Sequence, residues 1–171
     1  MQIRDATTDD LVAISALYNA TIPTTTAAWT ESAESLVDRE SWFRRQEAAG
    51  YPTLVAHIDG SVVGFTAFGD FRDGGKWPGY RFVVELTVHV AESTWGQGIG
   101  RALITELLAR AHAMGKTQMV AAVDGDNEAS LQFHERLGFV EVARMPAIGF
   151  KFGRWLDLVL LQRPTAPDPA R

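Results

Sequence analysis

The stretch "ESTWGQGIGRALI", residues 92–104, sets three glycines, Gly96, Gly98 and Gly100, directly ahead of an apolar run. Glycine lets a backbone turn left-handed and approach other groups closely. Glycines so spaced at the start of a helix can aim N–H groups inward, where the helix dipole adds positive potential. Arg101 adds a full charge in the first turn. The pattern reads either as an anion cradle or as a bare strand-to-helix turn. Both readings need a strand before it and a helix after it. The strand is "RFVVELTVHV", residues 81–90. Its Phe82, Val84, Leu86, Val88 and Val90 alternate onto one face, and Val83, Glu85, Thr87 and His89 onto the other. The helix is expected over 101–114, with Leu103, Leu107, Ala111 and Met114 on one face and Gly115 as its C-cap.

Two nucleotide patterns fail against this loop. A dinucleotide fingerprint G-x-G-x-x-G starting at Gly96 would end at Arg101, and one starting at Gly98 would end at Leu103. A Walker loop ending at "GKT", residues 115–117, would need a glycine where Arg110 stands. What remains is either a site for a pyrophosphate held by backbone and Arg101, without a metal, or a tight strand-to-helix turn with no ligand.

Working outward, the chain is expected to be mixed α/β in one domain, residues 1–163, with a flexible tail over 164–171. Gln2 to Arg4 reads as a short strand. Thr7 or Thr8 then caps a helix with Leu11, Ile14, Leu17 and Tyr18 on its apolar stripe. A loop surrounds Pro23. Residues 33–48 read as a second amphipathic helix with Leu36, Val37, Glu40 and Phe43 at helical spacing, ended by Gly50 and Pro52. "TLVAHIDGSVVGFTAFGDF" is a β-hairpin turning at Asp59-Gly60. "QMVAAV" reads as a central strand, "DNEASLQFHERLG" as a helix capped by Asn127, and "FVEVAR" and "WLDLVLLQ" as the last strands.

Composition narrows the partners. The 171 residues carry a net charge of −5 with 46% hydrophobic residues. That is the wrong sign for non-specific nucleic-acid binding. The absence of cysteine excludes disulfides, thiolate metal sites and a cysteine nucleophile. "MQIRDATTDD" lacks the apolar region of a secretion signal, and no apolar run reaches membrane-spanning length. A cytoplasmic chain with no membrane partner is expected. The histidines show no metal-ligand spacing: in "HERLG", Gly138 stands where a zinc motif needs a second histidine.

The glycine loop "WGQGIG", residues 95–100, together with Asn127, Ser130 and "FHERLGF", residues 133–139, resembles the GNAT family of N-acetyltransferases. Trp95 departs from the Arg or Gln usual at that position. "ELTVHV", "FHERLGF" and "GFKFGRWLDL" are similar to the phosphinothricin and methionine sulfoximine N-acetyltransferase branch, over about residues 2–163. The resemblance implies one twisted mixed sheet flanked by helices, with the fourth and fifth strands splayed apart around acetyl-CoA. It also implies a homodimer.

Amine acetylation needs a base, a place for the developing oxyanion and a way for the thiolate to leave. Glu85 is the candidate base, because a carboxylate among apolar strand neighbours has a raised pKa; the alternative is a salt-bridged strand glutamate. The resemblance implies cofactor contacts from Val88, His89 and Val90, from Gly96, Gln97, Gly98, Ile99, Gly100 and Arg101, and from Asn127 and Ser130. His134 stands where relatives carry a tyrosine and is a candidate donor to the departing sulfur; the alternative is a histidine packed on the sheet. Asn127 can equally be a simple N-cap. Arg72 and Arg81 are candidates for a substrate carboxylate, which a guanidinium matches bidentately. Trp29 and Phe71 are candidate pocket walls, and Lys151 and Arg154 fall near the pocket or a subunit seam. The implied substrate is a small amino-acid-like amine. Another small amine, a protein N-terminus, or a non-catalytic acyl-CoA sensor are the competing readings.

Overall fold

The computed structural model describes residues 1–166; the end of the expected tail, 167–171, lies outside the described residues. Seven strands form one sheet in the order β1-β2-β3-β4-β5-β7-β6. They are β1 (Gln2–Asp5), β2 (Thr53–Ile58), β3 (Ser61–Asp70), β4 (Val83–Val90), β5 (Gln118–Asp124), β6 (Val140–Lys151) and β7 (Arg154–Pro164). The helices are α1 (Leu11–Thr21), α2 (Leu36–Ala49), α3 (Ile99–Ala113) and α4 (Glu128–Arg136). All strand pairs are antiparallel except β4–β5, which α3 joins by a crossover. Among the described residues no helix is long and apolar enough to cross a membrane.

Alternation along the strands builds two cores. Val84 and Leu86 of β4 join Leu103, Ile104 and Leu107 of α3 and Met119 and Ala121 of β5 on one face. Phe65 and Val55 join Leu11 and Ile14 of α1 and Phe43 of α2 on the other. The expected elements are present with shifted bounds. The hairpin turn at Asp59-Gly60 has φ of 48° and 86°, the left-handed pair that a two-residue loop demands.

Three expectations need correction. The inward face of α2 is not Leu36 and Val37, which are exposed; it is Arg39, Phe43 and Gln46. The 33–48 reading placed its apolar stripe one step too early because the buried face carries a cation and an amide. The strand at "FVEVAR" runs on to Lys151, since register shifts between Glu141/Ala143 and Met145/Gly149 let it bend past Pro146. Finally, Pro164 ends β7 and Thr165 is buried, its N–H bonded to the Thr117 carbonyl at 3.1 Å. The start of the expected tail is thereby tied to the sheet.

The first turn of the chain rests on an ion pair. Arg4 donates to both Asp10 oxygens at 2.7 and 2.8 Å, and the Thr7 N–H adds a third bond at 2.8 Å. The Arg4 bonds, aided by Thr7, hold the Asp10 carboxyl down at about 2 against the opposing effect of burial. A carboxyl depressed in the fold stabilises it above the unfolded value near 3.9, and that stability disappears as pH falls towards 2. Asp10→Asn should therefore cost about 1–2 kcal/mol at pH 7, and its deficit against the parent protein should shrink between pH 4 and pH 2 in urea unfolding.

Candidate functional site

The parallel pairing of β4 with β5 covers only Val83↔Gln118, Val84↔Met119 and Glu85↔Val120. Beyond Glu85 the strands part. β4 continues to Val90 paired only with β3, and β5 continues to Asp124 paired only with β7. The hydrogen bonds around β4 fix which peptide groups face the gap. The Val83 carbonyl and the Ala91 N–H turn to β3, whereas the Phe82 carbonyl turns to β5. Alternation then turns Leu86, Val88 and Val90 to the β5 side and Thr87 and His89 towards β3; the Leu86 N–H belongs to the last rung, opposite Val120, and the N–H groups of Val88 and Val90 face the cleft. Of the expected backbone contacts, Val88 and Val90 are thus aimed at the cleft and His89 is not.

Two cavities meet at this opening. One lies along the cleft, between Leu86–His89 and Ala121–Asp124, with Thr26, Ala27, Asn127, Ser130 and His134 also lining it. The other, of about 310 Å³, lies between α2 and β3–β4 and is lined by Trp42, Gln46, Gly69 and Glu85 among others. Leu86 and Thr87 belong to both. Glu85 lines the second cavity and adjoins the two residues that the cavities share. Its carboxylate has no hydrogen bond or ion pair among the described residues, so the salt-bridged alternative does not hold. Burial alone pushes its pKa up.

The glycine loop divides its labour. Gly96 and Gly98 have φ of 79°, and nothing lies within 4 Å of where their side chains would be. Gly98 is the N-cap of α3 and supplies no side-chain cap, so the first N–H groups of the helix have no capping side chain. Ile99 buries its side chain in the core, leaving only its backbone for an anion, while Gln97 and Arg101 are exposed. Gly100 serves a different need: a Cβ there would lie 2.9 Å from the Phe133 ring. It lets α4 close on α3. Trp95 donates its indole N–H to the Val90 carbonyl at 2.9 Å, fastening the loop to the end of β4.

On α4, the Asn127 side-chain oxygen accepts the Ser130 N–H at 3.1 Å. Its amide NH2 stays uncommitted beside the cleft, so capping and ligand binding are compatible. His134 is buried, and its Nδ1 lies 2.8 Å from the Ser130 carbonyl. A carbonyl only accepts, which places the ring proton on Nδ1 and leaves Nε2 as a buried acceptor without a partner. Burial lowers the pKa of this ring. A neutral ring with this tautomer offers Nε2 as a lone pair, and the donor role expected for His134 needs a proton on that atom. His89 is packed between Tyr18 and Phe65, and burial with the nearby Arg39 charge pushes it down to about 4.

The expected substrate residues are not gathered in either cavity. Arg72 lies over the Phe71 and Tyr80 rings, at 6.0 and 5.4 Å. Arg81 lies over Phe82 and donates to the Pro78 carbonyl at 2.7 Å. All belong to the connection between β3 and β4, which leads into Glu85. Trp29 packs on Gly149 of β6. Sequence reading missed Trp42 and Gln46 at the cavity and Thr26 and Ala27 at the cleft. For the first two a signal existed: Arg39, Trp42 and Gln46 recur at helical spacing, a polar stripe on an inward face.

The acetyltransferase (GNAT) family profile matches residues 14–139. The chain is 42% identical to the L-amino acid N-acyltransferase MnaT of Escherichia coli, over 95% of this chain and 92% of that one. It is 44% identical to the L-methionine sulfoximine/L-methionine sulfone acetyltransferase of Pseudomonas paraeruginosa, over 94% and 92%. Among solved structures, the phosphinothricin acetyltransferase of Sinorhizobium meliloti in complex with AcCoA superposes with a TM-score of 0.91 at 35% identity, covering 99% of this chain and 91% of that one.

The histidine assignments make a spectroscopic prediction. At pH 7 both His89 and His134 should be neutral in nitrogen-detected NMR, with His134 protonated on Nδ1 and His89 titrating near pH 4. An imidazolium signal from His134 at pH 7 would support the donor role.

Proposed function

The chain belongs to the acetyltransferase (GNAT) family, and from that premise we propose that it moves acetyl from acetyl-CoA directly to the α-amine of a small amino-acid-like substrate, of the methionine sulfoximine, methionine sulfone or phosphinothricin kind. The observation that carries this reading is the unpaired, half-buried Glu85, which lines one cavity next to the two residues that cavity shares with the cleft. One cavity suits an acyl carrier threaded along unpaired strand edges. The other suits a small amine.

The residues fit the carrier. The open loop at Gly96–Gly98 and the uncapped start of α3, with Arg101, would receive its pyrophosphate. The N–H groups of Val88 and Val90, the Asn127 amide and Ser130 would meet the amides of its arm. When bound, acetyl-CoA supplies an activated thioester carbonyl. Glu85 takes the proton from the ammonium, directly or through a water, and its raised pKa suits that task at neutral pH. The inward N–H groups of β4 favour negative charge at the cleft without reorganising. No cysteine is present to carry an acyl group, which favours attack within a ternary complex. Arg72 makes no hydrogen bond among the described residues, whereas Arg81 donates to the Pro78 carbonyl, so Arg72 is the freer of the two arginines to hold a substrate carboxylate. The outward face of β6–β7 exposes Val142, Met145, Ile148, Phe150 and Trp155, which supports a homodimer seam there.

A thiol-release assay with acetyl-CoA, amino acids, their sulfoximine and sulfone analogues, and alanine-ended peptides separates the readings. Glu85→Gln should lower kcat by ~10²-fold. The parent activity should fall with acidity through the raised Glu85 pKa, and the variant should lack that limb. Equal rates for the two proteins over pH 6–8 would remove Glu85 as the base. Acetyl-CoA binding with no amine turned over would favour a sensor. Trp155→Glu should give the monomer mass in sedimentation, where the parent sediments as a dimer.

A further inference from the structure

The β6–β7 hairpin carries a lysine that the reaction does not use. Lys151 is fully buried, with 0% of its surface exposed. Removing an ammonium from water is costly unless its hydrogen bonds are replaced. Here Nζ donates to the Thr25 carbonyl at 2.7 Å and to the Ala28 carbonyl at 2.6 Å. Both acceptors lie more than a hundred residues away, in the connection between α1 and α2. Two other contacts join the same segments. The Phe152 N–H donates to Glu31 Oε1 at 3.2 Å. The Trp29 ring packs on Gly149, where a Cβ would collide with it.

The two carbonyls held by Lys151 flank Thr26 and Ala27, the residues of this connection that line the cleft. The same hairpin also reaches another wall. Arg154 pairs with Asp124 at 3.0 Å and Asp126 at 2.8 Å, and Asp124 lines the cleft as well. The segment "KFGRWLD" thus grips both sides of the opening.

We propose that Lys151 is a positioning residue for acyl transfer: by binding the Thr25 and Ala28 carbonyls it sets Thr26 and Ala27 as the wall against which the amine and the thioester are brought together. This rests on the acetyltransferase reading above. Lys151 touches neither reactant. Its effect passes through the backbone of residues 25–28, so its loss acts on the geometry of encounter more than on the grip on the carrier's pyrophosphate.

Two variants disturb the strap from different sides. Lys151→Met keeps the length and removes both hydrogen bonds. Gly149→Ala leaves the lysine intact and displaces the Trp29 ring. Hydrogen exchange by mass spectrometry should show faster exchange over residues 22–31 in each variant. In each, kcat/KM for the amine should fall at least tenfold, while the Kd for acetyl-CoA changes less than threefold. Faster exchange with kcat/KM within twofold of the parent would overturn the proposal, and so would unchanged exchange in both variants. An equal loss in acetyl-CoA affinity would also overturn it. If Lys151→Met does not fold, Gly149→Ala decides alone. A parent protein that turns over no amine would strike the acetyltransferase reading itself, and hydrogen exchange would still report on the strap.

Discussion

The whole site depends on a sheet that stops pairing partway along. β4 and β5 share three register positions and then separate, which leaves the N–H groups of Val88 and Val90 facing a gap. Buried backbone donors without partners are costly, so the open edge persists only because the surroundings keep the strands apart. β4 is held by β3 along its full length, and β5 by β7 along its own. α4 packs in behind, with Phe133 against Gly100, where a Cβ would come within 2.9 Å of the ring. Glu85 lines the cavity beneath α2 and directly precedes Leu86 and Thr87, which line both that cavity and the cleft. The base, the backbone donors and the anion loop are consecutive features of one strand and its exit.

Much of that could be read from residues alone. The alternation in 81–90 placed Glu85 opposite Val84 and Leu86, and the glycines at 96 and 98 foretold left-handed turns that the fold indeed uses. Asn127 caps its helix through one atom and keeps another for the cleft. What escaped the sequence was set by tertiary packing. Helical spacing marks a face of α2 but cannot say that a buried face will hold Arg39 over Tyr18 and Trp42, with Glu34 as its ion-pair partner. Nor can it fix a histidine tautomer, because the proton on His134 is dictated by the carbonyl of Ser130 one turn earlier. Nor does the departure at Trp95 announce its use, because the indole finds its acceptor, the Val90 carbonyl, only in the folded loop.

Charge is handled in the interior by a consistent device. The buried cations are never left to a single carboxylate. Arg39 lies 4.6 Å from the Tyr18 ring centroid and 4.7 Å from that of Trp42, in addition to its pairing with Glu34. Its field helps keep His89 neutral, so the aromatic packing under β4 carries no second charge. Glu85 is the exception, a half-buried carboxylate without a cation. Burial raises its pKa, no cation beside it pulls it back down, and a structural salt bridge there would remove the property the site needs.

Lys151 follows from the same reasoning, seen from the loop rather than the strand. A connection of fourteen residues between α1 and α2 has little regular structure to pair its carbonyls. An apolar side chain at 151 would cover the Thr25 and Ala28 carbonyls without satisfying them, at a cost of about 1–3 kcal/mol for each. An ammonium on a long stem satisfies both and holds them at a set separation. A guanidinium is planar and wide, and its donors point along a fixed fork. The compact, rotatable ammonium suits a closed space between two carbonyls three residues apart. The identity of this residue is therefore constrained by geometry on the far side of the cleft, in a segment that sequence alone would never have paired with it.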